Sequence, residues 1–175
     1  MMERGHVLNG RDALIGEIGH MQIADCSEKL CGCGKRHCLE SAVRLDHLRH
    51  LLMAEKAPWL EQEPLTFQSL FTHSRQGDPA ARKIVEYLAR CYASALHNLS
   101  LCYNQEAVVF QGDMAWADPY FDQCLKRKLD EFRYYPEGEW LTTRYDRREL
   151  STLAARGDAS LLRKKYFAAM SYEDD

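Results

Sequence analysis

The chain has 175 residues, 46% of them hydrophobic, which suffices for one substantial core and, by usual domain size, one domain. Its 23 basic and 26 acidic side chains give a formal net charge of −3 with the signs interspersed, leaving no basic face for direct contact with nucleic acid. No apolar run approaches the length of a membrane span, and the start has no basic segment leading into an apolar stretch, so the expectation is a cytoplasmic protein.

His6–Leu8, followed by Asn9-Gly10, reads as the close of a strand entering a hairpin, with Ile18–Ile23 as its partner. Glu17 and His20 lie three apart, and on a strand beginning at Gly16 they would point to opposite faces. The glycines flanking Glu17-Ile18 predict a turn instead, which aims both residues into one cleft.

His20 also opens a run of metal-type ligands, with Cys31, Cys33 and Cys38 following. Three thiolates and one imidazole make the closed tetrahedral shell that a structural zinc ion prefers. Cys31 and Cys33 are too close to pair comfortably as a disulfide, and Gly32 and Gly34 remove Cβ atoms that would hinder the backbone from folding round an ion. The plain alternative is a set of unrelated thiols and a histidine. Seven cysteines cannot all pair, so a metal loop over 20–38 plus reduced thiols is the simpler account. Cys26 falls outside the shell, beyond the charged Ser27-Glu28-Lys29 stretch.

From Leu39, apolar Val43, Leu45, Leu48, Leu51 and Leu52 recur at helical spacing, so a helix emerges directly from the metal loop and ends before Pro58. A short helix starts at Thr66 or Phe67 and ends near Gly77. Asp78 as N-cap and Pro79 at the first helical position open the next, with Ile84, Leu88, Cys91, Ala95, Leu99 and Cys102 as its core stripe. Ala107–Phe110 is a continuous apolar run suited to a strand covered on both faces. Gln111-Gly112-Asp113 is a turn, and Asp118-Pro119 starts a helix with Phe121, Cys124, Leu125, Leu129 and Phe132 inward. Trp140–Tyr145 reads as a last strand. Helices near Glu149–Ala155 and Asp158–Ala169 close the domain, and residues 171–175 form an acidic tail.

GEIGH at 16–20 and CGCGKRHCLE at 31–40 resemble the ExGH and CxCGxxGCxE signatures of the ROK family of sugar-responsive repressors, uncharacterised reading frames and sugar kinases. The segment from Gly77 to Phe121 resembles the long helix, strand and turn of that family's C-terminal lobe; beyond Arg133 the match is loose. The resemblance implies an α/β fold, the C-terminal lobe of an actin-like ATPase of ribonuclease H type, spanning 1–170. It also implies incompleteness at the N-terminus. The family's DxGxT-type phosphate loop, catalytic aspartate and, in the repressors, winged helix-turn-helix have no counterpart here, and Gly5–Gly10 resembles only the end of the second phosphate loop. A strand expected to lie centrally, between those at Val7 and Val108, is missing too, which leaves edges open to self-association.

By the same resemblance, Glu17, His20 and Glu40 hydrogen-bond sugar hydroxyls. His20 does so with one ring nitrogen while the other binds a structural zinc that has no catalytic role. Two departures stand out. His37 occupies a position where the family has glycine, so a positive-φ turn there is strained, and Gln111-Gly112-Asp113 replaces the glycine-rich turn that the kinases place beside the nucleotide. The second departure favours a sugar-sensing lobe of a transcriptional regulator, binding a sugar or sugar phosphate and forming a homo-oligomer. A sugar-kinase fragment and a structural or oligomerisation piece without a ligand are the alternatives.

Overall fold

Capping residues delimit the helices of the computed structural model, which describes residues 2–3, 6–8, 11, 15–24, 26, 28–133 and 141–167. Two short strands, β1 (Met2–Glu3) and β2 (His6–Val7), pair antiparallel, with Met2 opposite Val7 and Glu3 opposite His6. The helices are α1 (Leu39–Val43), α2 (Leu45–Ala54), α3 (Phe67–Gln76), α4 (Pro79–Tyr103), α5 (Pro119–Phe132) and α6 (Leu150–Phe167). Strands β3 (Ala107–Phe110) and β4 (Thr142–Tyr145) form a parallel pair, in register Ala107–Thr142 to Phe110–Tyr145.

Thr66 caps α3 through a reciprocal exchange with Ser69, its hydroxyl accepting from the Ser69 N–H at 2.9 Å, and Gly77 ends the helix at φ +93°. Asp78 caps α4 by accepting from the Ala81 N–H at 2.7 Å, and Asp118 caps α5 from the Phe121 N–H at 2.8 Å. Helix α4 runs through the core. Its expected stripe is buried from Ile84 to Leu99, whereas Cys102, the last residue but one of the helix, is exposed. Phe110 anchors β3 by edge-on contacts to Tyr92 and Phe121, at 5.5 and 5.8 Å between ring centroids.

Several expectations change. The partner of the His6–Val7 strand is Met2–Glu3, not Ile18–Ile23; the Asn9-Gly10 turn lies outside the described residues. Ile18–His20 forms a 3-10 turn after Gly16, at φ +99°, in keeping with the turn that the flanking glycines predicted, and among the described residues the strand-like pairing of the expected Ile18–Ile23 strand is a bridge from Gln22 to Cys38. The helix after the metal loop is two helices, since Arg44 adopts an extended ψ of 140° between α1 and α2. The final helix is continuous through Gly157, where two were expected. Strand β3 is not covered on both faces: Val109 is 51% exposed and Ala107 is exposed, while Phe110 is buried. Trp140 and the tail at 171–175 lie outside the described residues. Among the described residues, no helix is long and apolar enough to cross a membrane.

Candidate metal centre and adjoining cleft

The loop 20–38 closes on itself through its backbone. The Ile23 N–H donates to the His37 carbonyl at 2.8 Å and the Leu39 N–H to the Met21 carbonyl at 2.9 Å, so the start and end of the loop lie side by side. Within it, the Cys31 N–H donates to the Lys35 carbonyl at 2.8 Å across a tight turn, with Gly34 at φ +80°. Cys38 is the N-cap residue of α1, and its carbonyl accepts from the Ala42 N–H and the Ser41 hydroxyl. The helix thereby fixes where the Cys38 thiol points.

This backbone brings one donor atom from each of His20, Cys31, Cys33 and Cys38 within 4.8 Å of all the others. The pairs Cys33 Sγ–Cys38 Sγ and Cys31 Sγ–His20 Nδ1 both measure 3.6 Å. A zinc–sulfur bond of about 2.3 Å in a tetrahedron puts neighbouring ligands about 3.8 Å apart, so the spacing fits a single ion. Burial lifts the Cys38 thiol to about 12, while the Lys35 backbone hydrogen bond lowers that of Cys33. Packed thiolates of this kind need a cation, and a divalent ion deprotonates its thiols outright. Cys31 and Cys38 are buried; His20 and Cys33 are exposed. Cys26 is not part of the group: it is buried with Ile23, Leu39, Ala42 and Cys91 in a separate apolar cluster.

The two carboxylates singled out from the sequence flank the His20 ring on opposite sides. Glu40 Oε2 lies 3.4 Å from Nδ1 and Glu17 Oε2 lies 4.0 Å from Nε2, and the side chains of all three are accessible. Gly19 leaves just enough room for this: a Cβ there would sit 3.4 Å from the Glu40 Cβ. Glu40 also lines a cleft of about 510 Å³ with Val43, Arg44, Asp46, Phe67, Tyr92 and Asp113. Glu17 and His20 are not among its lining residues. Phe67 and Tyr92 were not singled out from the sequence as cleft residues, since nothing local marks an aromatic that packs on the core and also faces a cleft. Lys29 and Arg44 both engage Asp46, holding its carboxyl below the usual range.

His37 adopts φ +64°, the left-handed conformation expected of the glycine it replaces. Its ring lies 3.7 Å from the Glu28 carboxylate and is not part of the metal-type cluster. His37→Gly is therefore expected to stabilise the chain by about 1 kcal/mol, the usual cost of a left-handed L-residue, without changing metal content. Thermal melting with metal analysis checks this, and a loss of metal would make His37 a ligand.

The structure thus defines a mixed α/β domain with a metal-type cluster of three cysteines and one histidine beside a carboxylate-bearing cleft. The chain belongs to the ROK family, whose model matches residues 1–165. It is 30% identical over 119 residues to the N-acetylmannosamine kinase of Yersinia pestis (strain Pestoides F), a match covering 68% of this chain and 39% of the kinase. Its fold superposes on the ROK hexokinase of Thermus thermophilus with a TM-score of 0.62 at 26% identity, covering 79% of this chain and 45% of that one. A ROK family transcriptional regulator, a homologue of the E. coli MLC protein, gives 0.67 at 25% identity, covering 91% and 41%. The fold is thus the actin-like one of ROK kinases and regulators. In each case the match spans less than half of the relative's length.

Proposed function

We propose that this chain is the zinc-containing, sugar-sensing C-terminal lobe of a ROK-type transcriptional regulator, a cytoplasmic effector-binding unit without catalysis of its own. The observation that carries the reading is the placement of Glu17 and Glu40 on either side of His20, with Nδ1 turned to the thiols and Nε2 turned away from them. With Nδ1 committed to zinc, the proton resides on Nε2, where it donates to a sugar oxygen; the metal fixes tautomer and ring orientation. Four protein ligands leave no coordination site for an activated water, so the zinc shapes the pocket only. Each carboxylate accepts from vicinal hydroxyls through charge-assisted bonds.

The cleft beside this trio favours a sensor over an ATP-dependent kinase. Asp113 stands in the turn after β3 and with Glu40 gives the cleft two carboxylates, while the third, Asp46, is engaged by Lys29 and Arg44. A polyphosphate is repelled by such a lining. The second reading, part of a sugar kinase, is supported by the 30% identity to N-acetylmannosamine kinase. A sugar or sugar phosphate is the ligand class in both readings.

Titration calorimetry against a panel of sugars and sugar phosphates, with and without ATP, separates them. Weak binding that is independent of ATP is expected, because ligand sites in two-lobed folds lie between the lobes. Glu40→Ala should weaken binding about tenfold or more, the value of a charge-assisted hydrogen bond of about 1.5–3 kcal/mol. Phosphate transfer to the sugar selects the kinase, and submicromolar affinity surviving Glu17→Ala removes the trio from the site.

A further inference from the structure

We propose that Cys33 is an oxidant-sensitive point of the metal centre, where a two-electron oxidant of the peroxide class joins Cys33 to Cys38 as a disulfide and dismantles the shell. The inference rests on the zinc reading above. Its basis is an asymmetry among the three thiols. Cys31 and Cys38 are 3% and 0% exposed, whereas Cys33 is exposed at the tip of the turn. Both neighbours of Cys33 are glycines, and a Cβ built on either Gly32 or Gly34 would meet nothing within 4 Å. A small oxidant therefore reaches the Cys33 sulfur from solvent without displacing any side chain. Thiolate character and access together decide which cysteine oxidises first, and metal ligation holds all three as thiolates. Access is the variable left.

The second thiol is already in place. Cys38 Sγ lies 3.6 Å from Cys33 Sγ, on its buried side, and a disulfide needs about 2.05 Å, a closing motion of well under 2 Å at a glycine-flanked tip. Cys31 is a poorer partner because only one residue separates it from Cys33. In the first step the Cys33 thiolate attacks one oxygen of hydrogen peroxide, the O–O bond breaks and hydroxide leaves, giving the sulfenic acid. In the second, the Cys38 thiolate attacks the Cys33 sulfur, the S–S bond forms, and hydroxide departs on the solvent side. The two sulfurs lose two electrons and the peroxide gains two. Two thiolates, one peroxide and two protons give one disulfide and two waters.

What remains of the shell is His20 and Cys31, too few donors for tight binding. His20 then loses the constraint that fixes its ring between Glu17 and Glu40, so sugar affinity falls together with metal. A thiol reductant reverses both changes, because a disulfide sits on the reversible part of the oxidation series.

The test uses the whole chain, with zinc content measured first. Hydrogen peroxide is added in the presence of a chromogenic zinc chelator, and free thiols are mapped by differential alkylation and peptide mass spectrometry. Zinc release in step with a Cys33–Cys38 linked peptide is expected, these two thiols disappearing about tenfold faster than buried Cys26 and Cys91, with dithiothreitol restoring zinc binding. Exposed Cys102 is the internal reference. Oxidation of Cys102 with zinc retained overturns the proposal, as does zinc release accompanied by any pairing that omits Cys33. If the purified chain holds no zinc, the zinc reading fails by itself. The peptide map then still decides, since a pair other than Cys33–Cys38 overturns the assignment of the sensitive thiol.

Discussion

Cys38→Ser is expected to purify without zinc and to lose more than about 4 kcal/mol of stability, a loss typical of a dismantled metal site. Three roles meet at this residue. Its sulfur is a member of the metal-type cluster, its carbonyl starts α1, and its backbone bridges to Gln22, so the ion ties the loop to the first helix. Binding free energy at a structural zinc site is folding free energy, because the unfolded chain offers no assembled shell. Removing a fully buried ligand thus removes the ion and leaves three donors facing one another in a partly desolvated pocket. Cys33→Ser should lose zinc with a smaller loss of stability, since that side chain is exposed and packs against little. Cys26→Ser should keep its zinc. Elemental analysis with thermal melting distinguishes the three. Unchanged zinc in Cys38→Ser would take Cys38 out of the shell and undo the assignment of the centre.

The parts of this centre that the sequence made legible are those with short-range causes. His20 and the three cysteines stand within nineteen positions of one another, and glycines at 16, 19, 32 and 34 permit the turns that gather them. Helix limits at Thr66, Gly77, Asp78 and Asp118 were readable for the same reason, as caps act over three or four residues. What escaped was set at long range. Ile18–Ile23 has the composition of a strand, yet its end pairs with the loop exit at 37–39, across the whole metal loop, through hydrogen bonds that no local pattern announces. The apolar run Ala107–Phe110 has the composition of a central strand, but exposure depends on neighbours, and among the described residues it has one strand beside it. Arg44 breaks the helix without proline or glycine. The cleft lining of Phe67 and Tyr92 depends on how α3 and α4 meet the turn at Gly112, which spacing alone does not encode.

The purified chain is expected to self-associate in a concentration-dependent way through β3, and Val109→Lys is expected to suppress it. Strand β3 is hydrogen-bonded to β4 along one edge, and among the described residues no strand lies along the other. Parallel pairs are ordinarily buried within larger sheets, and two strands alone are marginal in water. Here the inner end is held by Phe110 in its aromatic cluster, while Val109 stands 51% exposed and Ala107 is exposed beside it. An anchored, apolar strand with one edge unpaired by any strand among the described residues is a template for another chain, and natural proteins guard such edges with lysine or proline. Lysine at 109 keeps the backbone pairing with β4 and places a charge where a second strand would dock. Burial of apolar area at about 25 cal/mol per Å² drives association in the parent, and the like-charge pair formed by two such edges opposes it in the variant. Sedimentation velocity over a concentration series, with thermal melting in parallel, measures both chains. A parent that remains a monomer at the highest concentration and melts cooperatively would mean that β3 has no free edge in solution.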